Sequence, residues 1–181
     1  MMIKRLTTKI AKLVAYFRYS TLYGSGSAGL GDTSVLWLAL AAGAGLRFIN
    51  ITKSSIWHDE GYSLMLAPQS VSQILARTGR DVHPPLYYLS LHFWLELFGH
   101  SELAARSLSL ACSVGTIVVI FFLMRDLFGP RPARLAALLA AAAPFLIRYA
   151  QEARMYAMVA FWLALARISH RWYGRRPYLM A

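Results

Sequence analysis

The sequence predicts an all-α protein that crosses a membrane several times. Of its 181 residues, 57% are hydrophobic and only 15% are charged, and the mean hydropathy is +0.45. Ordinary soluble domains are less apolar than this. Apolar runs near the length of a membrane-crossing helix alternate with short basic clusters, an arrangement that orients helices in a bilayer. We therefore expect about four spans.

Composition also excludes several other classes. The net charge is +11, but the basic residues stand in short clusters between apolar runs. The chain has no continuous basic stretch interleaved with aromatic residues, so a nucleic-acid partner is not expected. The single cysteine, Cys112, lies in an apolar run. It cannot form an internal disulfide, and no cysteine-based metal site can be built.

Residues 1–33 are expected to be a segment distinct from the membrane module at 34–181. Within residues 1–20, apolar positions recur at helical spacing, with the basic side chains largely on the opposite side. This pattern predicts a basic amphipathic helix on the cytoplasmic leaflet, with a solvated tail as the alternative. The composition of "GSGSAGLGDT", residues 24–33, is typical of a flexible linker.

The first span is predicted from Ser34 to about Ile51, with Arg47 as its one charge. Because Arg47 lies near the end of the run, its position favours snorkelling to the interface over turning inward to bind an anionic group. The alanine-rich run at about 133–147 is expected to pack against neighbouring helices. The later spans are predicted at about 104–123, 133–147 and 155–169.

Two shorter helices are predicted in the first outer loop, at about 64–77 and 85–98. The second, "PLYYLSLHFWLELF", is too short to span and carries polar residues among aromatics, which favours a position in the interface. If residues 85–98 do not cross the membrane and the N-terminus is cytoplasmic, most basic residues lie on the cytoplasmic side. A crossing would place the basic clusters at 125–134 and 167–176 on the side opposite the N-terminal cluster, and this agreement would be lost.

This topology brings four polar segments from distant parts of the chain to the outer face. Each has an ordinary structural interpretation, such as a solvated boundary, a proline in the first turn of a helix or an i,i+4 ion pair. Their convergence on the outer face instead indicates a functional site. The segments are "WHDEGYS" at 57–63, "DVHPPLYY" at 81–88, "SELAAR" at 101–106 and "RYAQEARMY" at 148–156.

The residue types in these segments suit group transfer from a lipid-linked phosphate. A partly dehydrated carboxylate can take a proton from an attacking hydroxyl, and arginines can stabilise a phosphate leaving group. The histidine spacings match no zinc signature, so the sequence implies no metal. Asp59 and Glu60 together could still bind a divalent ion.

Four linked motifs carry a family resemblance over roughly residues 35–170. They resemble the N-terminal part of bacterial GT-C glycosyltransferases, which are related to dolichyl-phosphate-mannose protein mannosyltransferases and aminoarabinose lipid A transferases. Members of that family are longer, so we expect this chain to correspond to a truncated N-terminal part. The motifs are "LRFINITKSSIWHDEGYS", "HPPLYYLSLHFWLELFGHSELAARSLSL", "MRDLFGPRPARLAALLAAAAP" and "RYAQEARMYAMVAF".

The resemblance implies a reaction and roles for individual residues. It implies transfer of a sugar, with inversion, from a polyprenyl-phosphate donor to a lipid, glycan or protein hydroxyl on the extracytoplasmic face of the cell membrane. Asp59 is then the expected catalytic base and Glu60 its motif partner. The two outer helices correspond to juxtamembrane helices of the family. The resemblance implies substrate binding by Arg106, Glu152, Arg154 and His83, the last near the donor phosphate. Arg47 is added as a fifth expected substrate-binding residue on its position, if it turns inward.

A second class of function also fits the sequence. The chain could be a non-catalytic multi-pass membrane protein, such as a transporter-like or assembly subunit. In that case Arg47 and the outer acidic residues would serve packing or ion passage.

Overall fold

The computed structural model describes residues 30–80 and 84–174, which form eight helices and no strand. The all-α prediction is therefore confirmed for these residues. The amphipathic helix predicted at 1–20 lies outside them. The helices are α1 (Leu30–Phe48), α2 (His58–Leu66), α3 (Val71–Thr78), α4 (Pro85–Phe98), α5 (Glu102–Phe128), α6 (Pro130–Ala142), α7 (Pro144–Ala150) and α8 (Tyr156–Gly174).

The long helix α5 is the centre of the fold. It begins after Ser101, whose hydroxyl oxygen accepts a hydrogen bond from the backbone N–H of Ala104 at 3.1 Å. Glu102 in the first turn complements the positive end of the helix dipole. The helix ends at Gly129, which has a φ of 89°, a conformation that favours glycine. It extends past both ends of the span predicted at 104–123.

Two hydrophobic clusters pack against the two halves of α5. The N-terminal half contacts a cluster from α2, α3 and α4 that includes Leu66, Ile74 and Leu91, each fully buried. The C-terminal half packs against α1, α6 and α8. As a result, the polar residues at the start of α5 lie where the loop between α1 and α2, the first turn of α2 and the loop after α7 come together.

Among the described residues, α5 is the one helix long and apolar enough to cross a membrane by itself, with a hydropathy of 2.3 over its best window. The pair α6 and α7 passes the same test together, although the two helices are bent by 53°. The apolar part of α1, Thr33–Phe48, is shorter. By length and composition the described part of the chain thus contains one such helix, or two if the bent pair counts as a single span. Four spans are not confirmed.

The single helix predicted over 133–147 is broken. Its N-terminal part, α6, ends at Ala142, and α7 begins at Pro144. Pro144 has no N–H to continue the hydrogen-bond ladder, and it pushes Ala143 into an extended conformation with ψ of 117°. The expected packing against neighbours is found, since Ala133, Ala137 and Ala141 are buried.

The helix predicted over 64–77 is likewise two helices, α2 and α3. Pro68 interrupts the ladder between them, and Ser70 is extended, with ψ of 151°. The predicted bounds 85–98 are confirmed for α4, which begins with a proline and ends before Gly99. His92 of α4 is hydrogen-bonded through Nδ1 to the carbonyl of Ala67 at 2.8 Å, which ties α4 to the end of α2.

Replacing Gly115 by valine is expected to disrupt the packing of α5 against α8. A Cβ atom at Gly115 would lie 2.8 Å from Cε2 of Phe161, so the ring must move. Overpacking of this kind costs about 1–3 kcal/mol of unfolding free energy, measurable by unfolding in detergent. Gly45→Val is the matched control, because a Cβ there meets nothing within 4 Å. Equal losses for the two variants would contradict the assignment of this contact.

Candidate active site

The adjacent acids Asp59 and Glu60 lie in the first turn of α2, where negative charge is favoured by the helix dipole. Their environments differ sharply. The side chain of Glu60 is 2% exposed, whereas that of Asp59 is 48% exposed. Two neighbouring carboxylates are therefore placed for different roles.

Glu60 forms a bidentate ion pair with Arg106 across 46 residues of sequence. The guanidinium Nε donates to Oε1 at 2.9 Å, and Nη2 donates to Oε2 at 2.7 Å. The backbone N–H of Ala153 also donates to Oε1, at 2.7 Å. Because both oxygens are occupied, Glu60 joins α2, α5 and the loop before α8 at one point.

The remaining donors of Arg106 are also directed at the protein. Nη1 donates to the carbonyl oxygens of Ile51 at 2.6 Å and Ser54 at 3.1 Å. It also forms an i,i+4 ion pair with Glu102, which is the ordinary structural interpretation of the segment 101–106. Arg106 is 1% exposed. These contacts fix the loop between α1 and α2, so any bound ligand would compete with protein acceptors for this guanidinium.

The ion pair controls the acidity of Glu60. Burial by itself raises the pKa of this carboxyl group, but the hydrogen bonds from Arg106 and Ala153 and the charge of Arg106 outweigh burial. The folded pKa therefore lies below the ordinary value of 4.5. Glu60 stays ionised in the folded protein at neutral pH.

We expect the stability of the protein to fall in acid because of this group. A carboxyl with a lowered folded pKa contributes fully above its unfolded pKa, about 4.5, and loses that contribution as the pH falls through the folded value. Melting temperatures of the wild type and Glu60→Gln across this range give the test. The wild type should lose more stability on acidification than the variant, and parallel curves would contradict the assignment.

Asp59 is paired with Arg154 more loosely. Nη2 of Arg154 lies 3.5 Å from Oδ2 of Asp59, and Nη1 donates to the backbone carbonyl of Asp59 at 3.2 Å. The guanidinium also lies over the ring of Tyr156, 5.7 Å from its centroid. Arg154 is thus held from two sides and supports the Asp59 segment, while the Asp59 carboxylate remains open to solvent.

A polar cavity of about 190 Å³ borders this group. Arg148 is its most accessible cation, with a side chain that is 61% exposed. Nε of Arg148 lies 2.8 Å from Oε1 of Glu152, whose side chain is 8% exposed. Lining residues include Asn50, Trp57, Glu60, Arg106, Arg148 and Glu152.

A second cavity, of about 350 Å³, has mainly apolar and aromatic walls. Trp57 lines both cavities, and His58 lines the second one only. Asp59 follows these two residues in the chain. The first turn of α2 therefore borders a charged cavity and an aromatic one. The second cavity is lined by Ile56, Trp57, His58, Gly61, Tyr62 and Met65.

Arg47 does not snorkel, and the position-based prediction is wrong on this point. The residue is fully buried and turns inward, which was the alternative. Its partners are not an anionic group but the hydroxyl of Ser113 and the carbonyls of Gly43, Ala140 and Ala141. Broken helix α6 supplies two of these carbonyls, which sequence position alone could not show.

The structure therefore brings most of the predicted site together around the start of α5. Glu60, Arg106 and Glu152 line the polar cavity, and Asp59 with Arg154 lies beside them. Arg47 points away into the helix packing. His83 lies outside the described residues. Within the described part of the chain, no three His, Cys, Asp or Glu side chains form a group that could hold a metal ion.

The sequence placed Arg148 and Gln151 in the outer polar segment 148–156 but gave neither of them a role at the site. Both line the polar cavity. The i,i+4 spacing of Arg148 and Glu152 is a signal that predicts their ion pair. No local pattern marks Gln151, whose amide contacts the end of α1 more than 100 residues earlier in the chain.

Comparison with known families identifies the family of the chain. Residues 82–178 match the family model described as dolichyl-phosphate-mannose-protein mannosyltransferase. The match covers more than half of the chain, so the chain belongs to this family, and the resemblance inferred from the motifs is confirmed. Membership makes the chain a glycosyltransferase-like, membrane-associated protein. No curated protein and no solved structure matches it at a significant level.

Only part of the candidate site lies within the residues that match the family model. Arg106, Arg148, Glu152 and Arg154 fall within residues 82–178, whereas α1, α2 and α3 precede them. Asp59 and Glu60 are therefore connected to the matched part through their contacts with Arg154 and Arg106.

Proposed function

We propose that the chain transfers a sugar from a polyprenyl-phosphate donor to an acceptor hydroxyl on the extracytoplasmic side of the membrane. The observation that carries the proposal is the contrast between neighbouring acids. Glu60 is buried and fully paired, whereas Asp59 is half-exposed beside Arg154. Together with family membership, this contrast supports one reactive carboxylate on a rigid support.

Asp59 is proposed as the general base. Its carboxylate accepts the proton of the acceptor hydroxyl while that oxygen forms a bond to the anomeric carbon of the donor. The bond from the anomeric carbon to the phosphate oxygen breaks, and its electron pair leaves with the phosphate. A single displacement of this kind inverts the anomeric configuration. Glu60 is less suited to the role, since both of its oxygens already accept hydrogen bonds.

Arg148 is proposed to bind the donor phosphate. A guanidinium suits phosphate because it forms charge-assisted, bidentate hydrogen bonds. Among the cations implied for substrate binding, Arg106 and Arg47 are buried and directed at protein acceptors. Arg148 is exposed in the polar cavity, with Glu152 orienting it. His83 keeps the role near the phosphate that the resemblance implies.

The distribution of charge supports the proposed sidedness. Basic residues cluster at the N-terminus, around Arg125–Arg134 and beyond Arg167, where they would face the cytoplasm. The candidate site then lies at the opposite surface. The acceptor class is left as lipid, glycan or protein, as the family resemblance implies.

The direct test is transfer of labelled sugar from a polyprenyl-phosphate donor by membranes that contain the protein. We expect transfer from this donor and not from the corresponding nucleotide sugar. Arg148→Gln should raise the KM for the donor about tenfold, since a charge-assisted contact is lost. Arg77→Gln, which removes an exposed arginine of α3, is the matched control.

Folded protein that transfers no label from any prenyl-phosphate donor would contradict the proposal. That outcome would favour the alternative of a non-catalytic membrane subunit. An equal rise in KM for Arg148→Gln and Arg77→Gln would show that Arg148 is not the phosphate ligand. The proposed sugar transfer would not be affected by that result.

A further inference from the structure

Two helix ends near the polar cavity expose carbonyl groups that their own helices cannot satisfy. The last turn of any α-helix leaves its carbonyls without backbone donors. Helix α1 ends at Phe48, and α6 ends at Ala142 just before the bend into α7. Arg47 supplies donors at the end of α6, and Gln151 supplies them at the end of α1.

Arg47, in the last turn of α1, caps the end of α6. Nη2 donates to the carbonyl of Ala140 and Nη1 to that of Ala141, both at 2.9 Å. In a continuous helix the donor for Ala140 would be residue 144, which is a proline without an N–H. The guanidinium therefore replaces a hydrogen bond that the break removes.

The same guanidinium reaches α7 through Ser113. Nε of Arg47 donates to the Ser113 hydroxyl at 2.8 Å, and that hydroxyl donates to the carbonyl of Leu146 at 3.1 Å. No described carboxylate pairs with Arg47, although it is fully buried. A buried charge held only by carbonyl and hydroxyl dipoles is costly unless these contacts are kept.

Gln151, at the end of α7, caps the end of α1 in return. Its Nε2 donates to the carbonyl of Ile49 at 2.8 Å and to that of Arg47 itself at 3.2 Å. Arg47, which caps α6, therefore has its own backbone carbonyl bound by the residue that follows α7. Arg148 and Glu152, which meet in the polar cavity, flank Gln151 in the chain.

We infer that Arg47 and Gln151 are positioning residues that lock α7 to the end of α1 through these reciprocal caps. The lock fixes the place of Arg148 and Glu152 in the cavity wall, and so the place where the donor phosphate binds. This last step depends on the proposed function, whereas the lock itself does not. Neither residue touches the reacting atoms.

Hydrogen exchange on the whole membrane-inserted protein tests the lock without any assay of activity. Gln151→Met keeps the length of the side chain and removes its donors. We expect amides of residues 44–52 and 143–150 to exchange about tenfold faster in this variant, with residues 85–98 unchanged. Arg47→Met should accelerate the same two segments. Because Arg47 is fully buried and Gln151 is not, Gln151→Met remains informative if Arg47→Met fails to fold.

Gln69→Met is the matched control, since that amide donates to the carbonyl of Met65 only four residues away. It should affect exchange near the end of α2 alone. The reciprocal lock is overturned if Gln151→Met changes neither segment, or if it changes the end of α1 without changing α7.

Kinetics separate positioning from a general loss of structure. In Gln151→Met we expect the donor KM to rise about tenfold, with kcat changed by less than about twofold. A loss of kcat at constant KM would indicate a purely structural role and contradict the placement of Arg148 by the lock. If the wild type transfers no sugar, the proposed function fails, while the exchange result still decides whether the lock exists.

Discussion

Replacing Asp59 by asparagine is expected to lower the rate of sugar transfer by about 10²–10⁴-fold, the usual contribution of general base catalysis. The amide keeps the shape of the carboxylate but cannot accept the proton. Stability should change little, because the side chain is 48% exposed and its ion pair with Arg154 is 3.5 Å long. The measurement is label transferred per folded molecule.

The control for this variant is Glu96→Gln, which neutralises an exposed carboxylate on α4. It removes the same charge from a residue that lines neither cavity. Both variants should fold as the wild type does. If Asp59→Asn and Glu96→Gln transfer sugar equally well, Asp59 is not the base.

Breaking the pair between Glu60 and Arg106 is expected to produce the largest loss of stability. Glu60→Met or Arg106→Met each leaves a buried charge without its partner, which costs about 3–5 kcal/mol. The double variant should lose less than the sum of the two single losses, since it leaves neither member of the buried pair behind. Denaturant unfolding of the three variants gives the coupling energy directly.

Glu102→Gln is the comparison for this cycle. It removes the other carboxylate paired with Arg106, but one whose side chain is 31% exposed, so the expected cost is about 0–1 kcal/mol. Additive losses in the double variant, or equal losses for Glu60→Met and Glu102→Gln, would show that Glu60 is not the anchor of this region.

The sequence was most informative where local chemistry decides the structure. The sequence itself shows the proline that starts α4, the glycine that follows it and the serine that caps α5. The predicted bounds 85–98 are confirmed. The breaks at Pro68 and Pro144 were missed, because apolar periodicity continues across both and hides the lost hydrogen bonds. Length alone predicted four spans, whereas the described residues contain one helix that passes the test for a membrane span, or two with the bent pair.

The site was predicted as a group of segments but not as a set of contacts. The i,i+4 pair of Glu102 and Arg106 is local and was visible as the ordinary interpretation of its segment, yet the more buried partner of Arg106 is Glu60, 46 residues away. Arg47 shows the same limit. Whether it snorkels depends on free carbonyls of the broken α6, which exist only after the tertiary fold has formed.

Two adjacent acids have different proposed roles, Asp59 a reactive one and Glu60 a structural one. Thermal unfolding and sugar transfer measured on the same samples of Asp59→Asn and Glu60→Gln test this difference most directly. We predict that Asp59→Asn unfolds at the wild-type temperature and transfers at least about 100-fold more slowly, whereas Glu60→Gln unfolds at a lower temperature. Wild-type transfer by folded Asp59→Asn, or equal destabilisation of the two variants, would contradict the account.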